Sequence, residues 1–310
     1  MLITKNGLPV HPIGLGTNAI GGHNIYSNID ETVSKEIVRT FFQQGGNFVD
    51  TAYYYGWGRS EELIGEVMKE FDRDSVFIAT KGAHIRTEDS WYLDNSPEFL
   101  VSCVEDSLKR LQTDYLDLFY IHFPDETTDK SKAVSALQQL KQQGKIRMIG
   151  VSNFSMEQLK EANAEGYVDV VQGHYNLFNR DLEGEYTQYM LEHQIDFIPY
   201  FPLASGLLTG KYRLDSVLTE KQKQRPLFSE ANFSENLKKI DVLHQLANQS
   251  SVTVGQIVLA YYLTLPFVSA LIPGAKQPHQ VISNLQAAEV KLTQADESLI
   301  EKTFTASVSS

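Results

Sequence analysis

Short runs of β-branched and aromatic residues alternate along the chain with longer stretches in which apolar residues recur at helical spacing. This alternation is typical of βαβ units, in which parallel strands are joined by covering helices. Eight strands closing on themselves form a (β/α)8 TIM barrel, so the pattern predicts an α/β fold of that kind, with an open doubly wound sheet as the alternative. The predicted strands are 13–16, 47–50, 76–81, 115–122, 146–152, 168–172, 196–200 and 268–272.

Capping residues mark where the intervening helices begin and end. Gly45 follows the first helix and Gly144 another, while Pro97, after a serine, occupies a favoured first helical position. Ser155 and Gln158 have the spacing of a capping box. The sequence therefore predicts discrete helices between the strands.

Two longer features complete this pattern. A segment at about 208–235 follows the seventh predicted strand and is long enough to be a functional loop, here a candidate cofactor loop. An amphipathic stretch at 293–304 predicts a C-terminal supporting helix. No flexible linker or internal repeat divides the chain, so we expect a single barrel domain over 1–310.

Composition narrows the class of protein. The chain has 310 residues, 42% of them hydrophobic, and a formal net charge of −12, which disfavours nucleic acid and anionic membranes as partners. The single cysteine, Cys103, cannot form an internal disulfide, and its amphipathic surroundings predict a buried structural thiol. No secretion signal or membrane-spanning stretch is evident, so we expect a soluble, cytoplasmic protein.

Ionisable residues stand at the ends of three apolar strands. Asp50, Lys81 and His122 occupy these positions, and Tyr55 follows in the loop after Asp50. In a barrel the carboxyl ends of the strands converge on one mouth, where active sites are assembled. A tyrosine whose pKa is lowered by a neighbouring lysine, itself paired with an aspartate, can act as a general acid. We therefore expect catalysis here, although any one such residue could equally be an ordinary polar strand end.

These residues also fit a known motif. The segment GGNFVDTAYYYGWGRSEELIG at 45–65 resembles the signature of the aldo-keto reductase family, and Lys81 and His122 fall where that family places its other catalytic residues. The chain looks closest to a bacterial branch that includes a reductase encoded among inositol-catabolism genes and its general-stress relatives. Further similar segments are GVSNFS at 150–155, VVQGHYN at 170–176, PYFPLASGLLTGKY at 199–212 and IPGAKQPHQVISN at 272–284.

The resemblance implies an NADP-dependent oxidoreductase that reduces aldehydes or ketones. Tyr55 would protonate the carbonyl oxygen, Lys81 and Asp50 would lower its pKa, and His122 would hydrogen-bond the substrate oxygen. The implied cofactor is NADPH/NADP+, and the implied partner is a small carbonyl compound.

The resemblance also implies cofactor contacts. Ser152, Asn153 and Gln172 would hold the nicotinamide carboxamide, and Tyr200 would stack on the ring. Small residues between Leu203 and Lys211 would let backbone N–H groups approach the pyrophosphate. The other expected cofactor residues are Thr17, Asn18, Asp50, Pro202, Ser205, Gly206, Leu208, Gly274, Lys276, Gln280 and Asn284.

Cofactor choice depends on the positions near 280. Many relatives carry an arginine where this chain has Gln280, so Lys276 is left as the main cation for a 2′-phosphate. NADPH is expected to be preferred, but less strongly than with two cations.

Three aromatic side chains, Trp57, Trp91 and Phe123, are candidates for the substrate pocket, although rim packing is an equal alternative. Other functions remain open at this point. A cofactor-binding regulatory or redox-sensing subunit with slow turnover is possible on the same fold. A metal-dependent hydrolase is disfavoured, because no His-x-His pair occurs and no metal site is expected.

Overall fold

A parallel sheet forms the centre of the molecule in the computed structural model, which describes residues 9–305. Seven strands lie side by side in the order β1, β2, β3, β6, β7, β8 and β9, each paired in parallel with the next. These strands are Leu15–Gly16 (β1), Phe48–Asp50 (β2), Phe77–Gly82 (β3), Leu116–Ile121 (β6), Ile146–Ser152 (β7), Val170–His174 (β8) and Asp196–Tyr200 (β9).

The eighth predicted strand closes this sheet into a (β/α)8 barrel, but not as a regular strand. The segment 268–272 makes only isolated parallel bridges to the first strand region, at Ile13 with Leu271 and at Gly16 with Gly274. On its other edge the Ser269 N–H donates to the Phe197 carbonyl of β9, at 2.9 Å. The predicted barrel is thus confirmed, and the prediction of a full strand at 268–272 is wrong, because Pro12 and Pro273, which accept hydrogen bonds between these two segments, have no N–H to donate in return.

Eleven α-helices are seen among residues 9–305, and those that follow barrel strands cover the outside of the sheet. Asp30 caps the first by accepting from the N–H groups of Thr32 and Val33. The helices are Glu31–Gln43 (α1), Arg59–Met68 (α2), Pro97–Leu111 (α3), Lys130–Gln142 (α4), Met156–Ala162 (α5), Glu185–Glu192 (α6), Glu220–Lys223 (α7), Glu230–Ser250 (α8), Val254–Thr264 (α9), Pro278–Gln286 (α10) and Gln294–Thr305 (α11).

The sequence marked most of these boundaries correctly. The Ser155–Gln158 capping box begins α5, Pro97 begins α3, and Gly144 follows α4 with a φ of 77° that favours glycine. Residues 208–235 are not one loop, however, since they include α7, a 3-10 turn at Pro226–Phe228 and the start of α8.

The hydrophobic core has two parts, one inside the barrel and one between the barrel and its helices. The inner part is built from strand residues that point inward, the largest being Phe48, Phe77 and Tyr120. Cys103 is buried on α3, where burial raises the pKa of its thiol to about 12 and keeps it protonated. The inner side chains fill the barrel, so chemistry is confined to its two ends.

An antiparallel hairpin lies at the end of the barrel to which β3 leads, and the sequence pattern missed it. It pairs His84–Arg86 (β4) with Trp91–Leu93 (β5). These strands are three residues each, too short to show a clear alternation. The hairpin brings His84 and Trp91 beside the ends of the barrel strands.

Candidate active site at the barrel mouth

A buried ion pair lies where β2 and β3 end. The Lys81 ammonium is 2.5 Å from Asp50 Oδ1 and donates a second hydrogen bond to the Thr51 carbonyl at 2.8 Å. Gln172 on β8 donates to the other carboxylate oxygen, Asp50 Oδ2, at 2.9 Å. The barrel thus brings together residues 31 and 122 positions apart in sequence, the first pair on the adjacent strands β2 and β3 and the second across the barrel between β2 and β8. Gln172, expected at the nicotinamide carboxamide, is here a support for Asp50.

Burial acts on both charges of this pair. It lowers the pKa of Lys81 and raises the pKa of Asp50, while the attraction between the two opposes both shifts. Because both side chains are shielded from water and hold each other, their positions are fixed. The pair therefore presents a fixed electrostatic field to a polar group beside it.

Tyr55 lies next to this pair, with the Lys81 ammonium 5.4 Å from its ring centroid. Within residues 9–305 its hydroxyl has no hydrogen-bond partner, so it is free to bind a ligand oxygen. The expected lowering of its pKa is not what the structure shows: burial raises the pKa of Tyr55, and the negative charge of Asp50 raises it further. The expectation from the sequence had Asp50 helping to lower this pKa, whereas the negative charge of Asp50 raises it.

His122, directly after β6, completes the group. Its ring centroid lies 6.1 Å from that of Tyr55, and its Nδ1 is a buried nitrogen without a hydrogen-bond partner in the described chain. Burial, the charge of Lys81 and neighbouring His84 hold its pKa well below the usual value. His122 is therefore neutral near pH 7, and can exchange a hydrogen bond with a ligand without adding charge.

Asn153 connects two other expected cofactor residues, Ser152 and Tyr200, to the catalytic candidate His122. Its amide donates to the Ser152 hydroxyl at 3.0 Å and to the His122 carbonyl at 3.1 Å, and its oxygen accepts from the Tyr200 hydroxyl at 2.7 Å. A left-handed backbone conformation, φ 62°, turns it into this position. The Tyr200 ring is stacked on His174, with centroids 5.3 Å apart. The expected residues thus meet at one place.

The loop after β9 has an unusual backbone. Phe201, Ala204, Ser205 and Gly206 all have positive φ, and the last three are consecutive. The N–H groups of Ala204 and Gly206 donate within the loop, to the carbonyls of Phe201 and Leu203, so the run is a tight turn. Lys211 lies against Gly206, since a Cβ placed there would come within 3.2 Å of the ammonium nitrogen. A phosphate fits this combination of small residues and a cation.

Other residues expected around the cofactor are placed mainly by backbone contacts. The Thr17 hydroxyl donates to the Asp50 carbonyl at 2.9 Å and is fully buried, so it acts as a support. Asn18 lies beside Gly274. The Pro202 carbonyl accepts from the Tyr262 hydroxyl, and the Leu208 side chain is in the core. Leu208 can therefore offer a ligand only its backbone.

The beginning of α10 carries the residues expected to recognise the 2′-phosphate. Gln280 uses its side-chain oxygen to cap the helix, accepting from the N–H groups of Lys276 at 2.7 Å and Gln277 at 3.1 Å. The Lys276 ammonium lies over the Tyr26 ring, beside a cavity of about 260 Å³. Asn284 is one turn further along α10.

The three substrate-pocket candidates belong to one aromatic cluster. Trp57 contacts Tyr54, with centroids 5.0 Å apart, while Trp91 and Phe123 flank His84 at 5.0 and 5.7 Å. Phe123 also packs on His122. Tyr54 and His84 were not predicted from the sequence, although His84 lies only three residues after Lys81 in the chain. The cluster forms an apolar wall around the polar group.

Two classes of feature are not seen in residues 9–305. This part of the chain holds no group of three or more histidine, cysteine, aspartate or glutamate side chains arranged for a metal ion. Nor does it contain a helix with the length and apolar character needed to span a bilayer.

Comparison with known proteins shows similarity over nearly the whole chain. The family model described as Aldo/keto reductase family matches residues 12–303. The aldo-keto reductase YhdN of Bacillus subtilis is 36% identical over 283 residues, which cover 90% of this chain and 85% of that protein. The NADH-specific methylglyoxal reductase of Escherichia coli is 30% identical over 307 residues, covering 94% and 93%.

Solved structures agree. The glycerol dehydrogenase of Gluconobacter oxydans has a TM-score of 0.89 and 31% identity, covering 97% of this chain and 93% of its own. An aldo-keto reductase of Klebsiella pneumoniae, solved in complex with NADPH, has a TM-score of 0.74 and 25% identity, covering 97% and 94%. The particular bacterial branch stays a prediction. With a buried Asp50–Lys81 pair, Tyr55 and His122 at the mouth of its barrel and a family match over nearly its whole length, the chain belongs to the aldo/keto reductase family.

Proposed function

We propose that this protein reduces an aldehyde or ketone to an alcohol, with NADPH as the hydride donor and Tyr55 as the proton donor. The observation that carries the proposal is the arrangement at the mouth, where the Tyr55 hydroxyl, which no residue within 9–305 hydrogen-bonds, and the His122 ring, whose Nδ1 is buried without a partner in the described chain, lie side by side above a buried ion pair. Buried polar groups without partners are uncommon in folded proteins. A carbonyl oxygen is a ligand that both could bind.

The chain offers a dinucleotide contacts in two places. The consecutive left-handed residues 204–206 and Lys211 suit a pyrophosphate, and Asn153, joined to Tyr200 by a hydrogen bond, is also bonded to the His122 carbonyl. When bound, the reduced nicotinamide supplies the hydride that reaches the carbonyl carbon. In the proposed site Tyr200 bounds the nicotinamide, and Lys276 lies at the adenosine end.

The chain's own residues then have separate tasks. His122 remains neutral and orients the substrate oxygen, and the Tyr55 hydroxyl donates its proton to that oxygen as negative charge develops. The raised pKa of Tyr55 keeps the phenol protonated and available. Lys81 moderates the effect of Asp50 on that proton. The aromatic cluster around Trp57, Trp91 and Phe123 gives the substrate an apolar surface beside the reacting carbonyl.

Replacing Tyr55 by phenylalanine tests the proposal. The variant keeps the ring and loses the proton donor, so we expect kcat for a reactive aromatic aldehyde to fall by about 10²-fold or more, with little change in NADPH affinity. Tyr53→Phe is the matched control. Tyr53 lies in the same loop, packs on Trp57 through its ring, and has no hydroxyl partner in the described chain, so its turnover should stay near wild type.

The outcomes separate the two functions considered. Wild-type protein that binds NADPH but does not oxidise it with any reactive aldehyde would favour a cofactor-sensing subunit. A deuterated cofactor shows whether hydride transfer is rate-limiting. If it is, and Tyr55→Phe still turns over at nearly the wild-type rate, Tyr55 is not the general acid.

A further inference from the structure

His84 is a second buried histidine at the barrel mouth, and the proposed reaction does not use it. It is the first residue of β4, and only 2% of its surface is exposed. Its ring centroid lies 5.0 Å from that of His122, in an edge-on arrangement. Two imidazoles therefore stand side by side where the substrate carbonyl is expected.

The neighbours of His84 are rings of the aromatic cluster. Tyr54 lies at a centroid distance of 4.6 Å, Trp91 at 5.0 Å and Phe123 at 5.7 Å. Within residues 9–305 neither ring nitrogen of His84 has a hydrogen-bond partner from the protein. Neither nitrogen is among the fully shielded unpartnered atoms of the described chain, so both can be reached by solvent or a ligand. Since the contacts of His84 are the walls of the pocket, that partner would lie in the pocket.

The protonation state of His84 limits what it can bind. Burial lowers its pKa to about 4, so the ring is neutral near pH 7. A neutral imidazole has one N–H donor and one acceptor nitrogen. It can thus pair with a hydroxyl or a carbonyl oxygen, and it offers no charge to attract a carboxylate.

We propose that His84 is a specificity-determining residue that hydrogen-bonds an oxygen on the carbon next to the substrate carbonyl. The preferred substrates are then small α-hydroxy or α-oxo carbonyl compounds, with the reacting oxygen at His122 and Tyr55 and the vicinal oxygen at His84. This inference rests on the proposed function. Oxygens on adjacent carbons are close enough to be held by two neighbouring imidazoles, whereas a plain alkyl aldehyde leaves His84 unpaired.

The cost of leaving such a group unpaired is the source of selectivity. A site built to hydrogen-bond a substrate hydroxyl rejects the analogue that lacks it, because the polar group stays desolvated. Glycolaldehyde and propanal form a suitable pair, since they differ by a hydroxyl in place of a methyl group. Hydration of either aldehyde affects every variant equally and cancels when variants are compared.

The test is the ratio of kcat/KM for glycolaldehyde to kcat/KM for propanal, measured with NADPH for wild type, His84→Phe and His84→Gln. We expect phenylalanine, which keeps a ring, to lower the ratio by roughly 5- to 20-fold, and glutamine to restore part of it through its amide. His193→Phe is the matched control, because His193 is exposed after α6 and stacks on Tyr189.

The outcomes are distinct. A ratio unchanged in His84→Phe, or an equal loss for both aldehydes in both variants, overturns the role of His84 while leaving carbonyl reduction intact. Failure of the wild type to reduce either aldehyde overturns the proposed function and this inference with it. If His84→Phe does not fold, as shown by its thermal unfolding, His84→Leu gives the same ratio with a smaller side chain.

Discussion

The Lys276 ammonium lies 4.5 Å from the centroid of the Tyr26 ring, and this cation–π contact joins the segment after β1 to the segment that closes the barrel. Both residues border the same cavity, of about 260 Å³, together with residues at the beginning of α1. At an exposed site the contact is worth only about 0.5–1 kcal/mol. Lys276 can therefore leave Tyr26 for a stronger partner, such as a phosphate.

Lys276→Ala should weaken NADPH binding and leave NADH binding nearly unchanged. The ammonium can form a charge-assisted hydrogen bond with a 2′-phosphate that NADH lacks. With Gln280 committed to capping α10, we expect wild type to favour NADPH by roughly 10- to 100-fold, or about 1.4–2.8 kcal/mol. Fluorescence titration with both cofactors at two salt concentrations measures this, and the variant should also show a weaker salt dependence for NADPH.

Lys291→Ala, at another exposed lysine, is the control for the loss of one positive charge. Equal losses of NADPH and NADH affinity in Lys276→Ala would assign the lysine to the pyrophosphate or to loop structure. A wild-type preference for NADH, the cofactor named for the Escherichia coli relative, would overturn the phosphate-reading role.

Lys81→Met should damage both catalysis and stability. The variant leaves the buried Asp50 carboxylate with a hydrogen bond from the Gln172 amide but without its cation. Removing one partner of a buried ion pair lowers the free energy of unfolding by about 3–5 kcal/mol. The uncompensated charge of Asp50 would also raise the pKa of Tyr55 further and weaken it as an acid. Urea unfolding and single-turnover reduction measure the two effects.

An Asp50→Asn, Lys81→Met double variant is the control for this prediction, because it removes both charges. It should recover much of the stability but not the turnover. Normal activity and an unchanged pH profile in Lys81→Met would show that the role of Lys81 is purely structural.

The pH profile of reduction should be flat from about pH 6 to pH 9. The pKa of Tyr55 is raised above its usual value near 10, so the proton-donating phenol persists as pH increases. The pKa of His122 is held well below its usual value, so the ring stays neutral as pH falls to about 6. We expect kcat/KM, measured with saturating NADPH, to show no ionisation in this range. An alkaline loss near pH 8 that disappears in Tyr55→Phe would contradict this.

Arg110→Met should destabilise the fold, and it also removes the guanidinium that lies over the Tyr53 ring in the loop that carries Tyr55. Glu61 on α2 is fully buried, and its carboxylate is 2.5 Å from Arg110 Nε on α3 and 2.6 Å from the Thr80 hydroxyl on β3. Removing the arginine leaves the buried Glu61 carboxylate with the Thr80 hydroxyl as its remaining hydrogen-bond partner. We expect the free energy of unfolding to fall by about 3–5 kcal/mol. Thermal and urea unfolding measure it.

Lys109→Met, on the same helix with an exposed side chain, is the matched control and should change stability by less than about 0.5 kcal/mol. Similar effects of the two substitutions would show that the buried pair contributes no more than a surface contact.

The sequence by itself determined the parts of this protein that depend on local pattern. The alternation of strands and helices, the α5 capping box at Ser155 and the α3 boundary at Pro97 all match the structure, because side-chain period and capping are properties of neighbouring residues. The positions of Asp50, Lys81 and His122 could be read in the same way. They lie at or just after strand ends, and parallel strands bring such ends together.

Only the tertiary structure decided how these residues act on one another. Whether 268–272 forms a strand depends on the hydrogen bonds its neighbours can offer, and the pKa of Tyr55 depends on its burial and on the nearby charge of Asp50. The meeting of His84 with His122 likewise needs the turn of a short hairpin that carries almost no periodic signal. Burial and contacts between distant residues belong to the folded chain, so no local pattern could specify them.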